Sequence, residues 1–77
     1  MSHIQEWTEK SEKVKLSNNS EELDSFIDEL YKMRKESIAS EGEYGKGNLI
    51  FKALRRNKTI EHIMEYKREI ENQELSL

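Results

Sequence analysis

All three glycines of this 77-residue chain, Gly42, Gly45 and Gly47, fall within six positions, and proline is absent. Glycine and proline are the strongest local breakers of regular structure. The chain therefore has one sharp break, with long uninterrupted segments on either side. Those segments are rich in Glu, Lys, Leu, Ile and Arg, which favour helix or tolerate it. The expected class is all-α: a small bundle of three or four helices in a single domain over residues 1–77, with a Gly-rich loop between helices two and three.

Apolar spacing divides the segments further. Residues 3–16 predict a first helix with a thin stripe, in which Ile4, Trp7 and Val14 sit at helical offsets, Ser11 fills the missing step and Ser2 is the candidate cap. Ser17-Asn18-Asn19-Ser20 reads as a loop. Residues 20–41 predict the clearest helix, with Leu23, Phe26, Ile27, Leu30, Met33 and Ile38 at steps of three and four or their sum. Asn19 and Glu22 have capping-box spacing, and Gly42 is the expected left-handed C-cap residue. Asn48 is the expected N-cap of a third helix over about 48–56, carrying Leu49, Ile50, Phe51 and Leu54. Thr59 would cap a fourth over 59–75, carrying Ile60, Ile63, Met64 and Ile70, unless Asn57 merely kinks one long helix.

A chain this short builds only a small core. Its 34% hydrophobic and 38% charged residues make that core smaller still. Without cysteine, neither a disulfide nor a Cys-ligated zinc can staple it, so association with another chain gains weight. The expected partner is a protein, with a homo-oligomer as the favoured form. No apolar run approaches the ~18–20 residues of a membrane span, and residues 1–7 lack the signal-peptide pattern. The expected setting is cytoplasmic, without membrane contact.

Charge is blocked along the chain. Residues 1–30 carry three Lys against eight acids, 31–58 carry eight basic residues against three Glu, and 59–77 carry two basic residues against five Glu. Acid near helix N-termini and base near C-termini explains most of this as helix-dipole complementarity. The blocks can also mark interaction surfaces.

Catalytic and metal patterns are missing. His3 and His62 are the only histidines, and no second His stands one helical turn from His62. No Ser lies in a Gly-x-Ser-x-Gly elbow. Carboxylates are plentiful but fall on charged faces, whereas general acid–base work needs a drier pocket. The expectation is a non-enzyme with no metal and no cofactor.

Two binding readings remain beside a protein partner. Gly45-Lys46-Gly47-Asn48 leads into a helix start, where free N–H groups favour anions. A nucleotide there would meet Tyr44, Lys46, Gly47, Asn48 and Arg55 or Arg56. The Walker spacing is absent, however, and glycine in a helix connection needs no ligand to explain it. A helix-turn-helix DNA reading is disfavoured because the fourth helix carries Glu61, Glu65, Glu69, Glu71 and Glu74, which phosphates would repel.

For a protein interface the candidates are Trp7, on its thin helix, and Ile63, Ile70 and Leu77 at seven-residue steps. The functional expectation is thus a small regulator, adaptor or inhibitor of the kind phages and mobile elements encode, acting by binding another macromolecule.

Overall fold

A computed structural model describes residues 3–76, which form four α-helices: α1 (His3–Ser17), α2 (Ser20–Glu41), α3 (Lys46–Arg56) and α4 (Thr59–Ser76). Ser2 and Leu77 lie outside the described residues.

α2 is the long axis of the molecule. Asn19 opens it in extended conformation, and its Oδ1 accepts the N–H groups of Glu21 and Glu22 at 2.9 and 3.3 Å. Such a cap is worth about 1 kcal/mol. Leu23, Phe26 and Leu30 are buried, and Met33 continues their stripe half-buried. The next position on that stripe is Ser37, which is buried, while the expected core residue Ile38 is 37% exposed. One residue is 100° of helix rotation, enough to turn Ile38 off the contact face. At the C-terminus Gly42 donates its N–H to the Ile38 carbonyl at 2.9 Å. Its φ is 80° as expected, but ψ is −168°, outside the left-handed helical well. That combination is essentially restricted to glycine.

α3 begins at Lys46, two residues before the expected start, with Gly45 at its N-cap. Asn48 lies inside the first turn and is buried. Ile50, Phe51 and Leu54 are buried, but Leu49 is 47% exposed because it falls between the two contact positions Asn48 and Ile50 on the outer flank. α3 and α4 are separate helices. Asn57 closes α3 through its N–H to the Ala53 carbonyl, and Lys58 turns the chain with φ 62°. The Lys58 carbonyl accepts the His62 N–H, so Lys58, not Thr59, holds the N-cap position of α4.

The side-chain contacts fix the topology. Glu41 bonds to Lys46, Ser37 bonds to Asn48 and Tyr31 packs on Phe51, so α3 runs antiparallel over the C-terminal half of α2. Lys67 pairs with Asp24, and Ser20 donates to Glu74 at 3.2 Å, so α4 runs antiparallel over the N-terminal half. Helices three and four thus follow one another along α2, bent at Asn57–Lys58. This gives a body of 45 × 25 × 17 Å.

α1 packs against all three other helices. Its four contact positions are Ile4, Trp7, Ser11 and Val14, and Ser11 is 1% exposed with its hydroxyl donating to the Thr8 carbonyl. Trp7 packs on Phe26, ring centroids 5.7 Å apart, under the Lys10 ammonium. The fully buried apolar core comes from α2, α3 and α4 alone: Leu23, Phe26, Leu30, Ile50, Phe51, Leu54, Ile60, Ile63 and Ile70. Each such side chain contributes about 1.5–3 kcal/mol. Ile27, Met33 and Met64, also expected in the core, line its edge half-buried.

Candidate interaction cleft

The glycine loop closes on the protein itself. The first N–H groups of a helix have no partner within the helix. At α3 they are met from α2: Glu41 Oε2 accepts the Lys46 N–H at 3.2 Å, and Ser37 Oγ accepts the Asn48 N–H at 3.0 Å. Asn48 Nδ2 donates to the Glu43 carbonyl at 2.7 Å. The glycines are there for proximity. A Cβ on Gly47 would stand 2.9 Å from Ser37 Cβ and 3.0 Å from the Met33 carbonyl oxygen, and one on Gly45 would stand 2.9 Å from the Ser37 carbonyl oxygen.

The expected anion contacts are therefore not assembled. Tyr44 is 86% exposed, and the side chain of Asn48 points into the loop bond. Arg55 and Arg56 stand at the other end of α3, about 15 Å along its axis from Lys46.

The expected interface set also divides. Ile63 and Ile70 face the intramolecular core at 0% and 5% exposure, so their seven-residue step is spent inside the fold. Trp7 is half-buried against Phe26. Leu77 lies outside the described residues.

A different surface carries the larger concavity. In the angle between α3 and α4, roofed on one side by α2, lies a cleft of about 730 Å³. Phe51 and Ile60, both core residues, close its base, and half-buried Met64 and Tyr31, which is 41% exposed, supply its accessible apolar surface. The Phe51 ring is held between Tyr31, centroids 5.3 Å apart, and the Arg34 guanidinium, 5.4 Å from the ring centre. Three arginines line the cleft: Arg34 from α2, Arg55 from α3 and Arg68 from α4. Glu61 and Glu65 line it from α4. Among the described residues, no ion pair includes any of the three arginines. Arg55 also borders a shallower groove with Lys52 and Arg56, so the basic surface continues across α3.

Arg55, expected beside the glycine loop, lines this cleft instead. Tyr31, Arg34 and Arg68 were missed as site residues, and no local motif marks them. They meet only because α4 folds back along α2. Three further acidic residues, Glu21, Glu22 and Glu29, rim a groove between α1 and α2 together with Lys10.

Chemically, the cleft offers charge-assisted hydrogen bonds. Guanidinium stays protonated at any ordinary pH and offers a planar fork to carboxylate or phosphate. Among the described residues no cluster of three or more His, Cys, Asp and Glu is placed to hold a metal ion, and no helix is long and apolar enough to cross a membrane. Outside the cleft, the hydrogen bond that Lys67 donates to Asp24, reinforced by the charges of Asp24 and Glu71, holds its ammonium above the usual lysine range.

Fold and cleft together define a small four-helix all-α domain with an arginine-lined groove. No protein-family model, curated protein or solved structure matches this chain.

Proposed function

We propose that this protein is a small non-enzymatic interaction module, a regulator, adaptor or inhibitor, that binds another protein through the cleft between α2, α3 and α4. One observation carries the proposal. Tyr31, which is 41% exposed, and half-buried Met64 are grouped with three arginines that lack an ion-pair partner among the described residues. Aromatic residues, Met and Arg are the types enriched at the energetic centres of protein interfaces. An arginine left without an internal acid retains its charge-assisted bonds for a partner.

A nucleotide at the α3 N-terminus is the weaker reading, since Glu41 and Ser37 already take N–H groups that an anion would need. Self-association through the Ile63–Ile70 stripe is weaker too, because those side chains are buried.

The test is affinity capture of tagged protein from its native cell, followed by mass spectrometry. Proteins retained by the wild type should be lost with Tyr31→Ala plus Met64→Ala, two changes outside the fully buried core. Retention of the same set by the folded double variant would place the binding surface elsewhere.

A further inference from the structure

The walls of the cleft differ in charge, and that difference specifies a class of partner. α2 and α3 contribute Arg34 and Arg55; α4 contributes Glu61, Glu65 and, one turn further, Arg68. On α4 the lining runs from Ile60 to Arg68, about 12 Å, or roughly two helical turns. Between the walls, Tyr31 and half-buried Met64 present the accessible apolar surface.

A trough of this kind, between helices, offers no free sheet edge to pair with an extended peptide. A helix brings its own backbone hydrogen bonds and needs only an apolar stripe for the floor. A nucleic-acid backbone is a poor fit, because Glu61 and Glu65 would face its phosphates.

Resting on the protein-binding reading above, we propose that the cleft receives an acidic amphipathic helix of a partner protein. Its apolar stripe lies on Tyr31 and Met64, and its Asp or Glu flank faces Arg34 and Arg55. Its opposite flank meets Glu61 and Glu65, which favours a basic or neutral side chain there and so sets the orientation of the bound helix.

Two fluorescent peptides of about 15 residues, long enough for marginal helix, provide the probe. They share one apolar stripe and differ only in carrying Glu or Lys on the flank. Fluorescence anisotropy against the full chain should give about tenfold tighter binding for the Glu peptide at low salt, with the gap narrowing as salt is added. Arg34→Glu plus Arg55→Glu should reverse the preference. Arg68→Glu, which leaves the Arg34–Phe51 contact in place, should reduce it, and circular dichroism should show all variants folded.

Equal binding of the two peptides, or binding of neither, overturns the proposal. So does a preference that the double charge reversal leaves intact. Equal binding that Tyr31→Ala plus Met64→Ala abolishes would keep the cleft as a protein site and remove only the acidic partner. Equal binding unaffected by that pair would remove both. If inorganic triphosphate displaces the Glu peptide and binds as tightly, the cleft is a general anion site and the helical partner is wrong.

Discussion

Ser37, near the end of α2, caps α3: its hydroxyl oxygen accepts the backbone N–H of Asn48 at 3.0 Å. The residue at the N-cap position of α3 is Gly45, which has no side chain to do this. A helix start that would otherwise expose free donors is closed by a neighbouring helix. The closure is possible only because Gly45 and Gly47 let the two backbones approach.

Gly47→Ala should therefore destabilise the protein, although alanine is the better helix former by about 1 kcal/mol. Its Cβ would meet Met33 and Ser37 at 2.9–3.0 Å, including a backbone carbonyl that cannot swing away. Overpacking of this kind costs about 1–3 kcal/mol. Urea titration should show a lower midpoint. Gly42→Ala should also be destabilising, for a different reason: nothing lies within 4 Å of the new Cβ, but φ is +80°. A stability gain from Gly47→Ala would mean that the α2–α3 crossing is looser than described.

Ser37→Ala removes the acceptor and leaves the Asn48 N–H buried without its partner. The loss should be about 1–3 kcal/mol, which for a chain of this size lowers Tm by several degrees per kcal/mol. Amide exchange gives a sharper check. The Asn48 N–H should exchange far faster in Ser37→Ala than in the wild type, while amides in the middle of α2 keep their relative order.

The Lys67–Asp24 pair ties α4 to α2 and gives stability a dependence on alkaline pH. Folding raises the lysine pKa, chiefly through the Asp24 hydrogen bond. Its contribution is then fully present below the unfolded value of about 10.4 and is lost as pH rises through the folded one. Lys67→Met should lower Tm at neutral pH. The difference from wild type should shrink at the alkaline end, because the wild type loses its ammonium there. A difference that stays constant with pH would assign the effect to packing.

Sedimentation at micromolar concentration should give the mass of one chain, 9.2 kDa. The stripe that would serve a second copy, Ile63 and Ile70, is consumed by the core. The three most exposed large apolar residues, Leu16, Tyr44 and Leu75, come from α1, from the loop before α3 and from α4. A stable dimer would show that one of these forms an interface.

The sequence read most clearly where apolar spacing is regular. Leu23, Phe26 and Leu30 follow one stripe, and the Asn19 cap needs only local geometry, so helix two was legible to its ends. Ile38 and Leu49 misled because hydrophobicity alone does not say which side of a helix another helix will cover. The buried positions beside them went to Ser37 and Asn48, polar residues that satisfy each other only once α2 and α3 meet. Ser11 is the converse case: its place in the spacing outweighed its polarity, because a small side chain with a local acceptor can be buried at little cost.

By itself the sequence determined the class of the protein: three or four helices, one glycine break, an amphipathic face on each segment. Those are properties of residues a few positions apart, set by backbone sterics and by the helical period. The tertiary structure decided what the glycines are for, since close approach is a relation between two helices. It also decided where the arginine-lined cleft lies. Arg34, Arg55 and Arg68 belong to three different helices, and nothing in their local neighbourhoods brings them together. Their convergence follows from the bend at Asn57–Lys58 and the antiparallel return of α4 along α2, which bury Ile60, Ile63 and Ile70 and leave the arginines around the cleft.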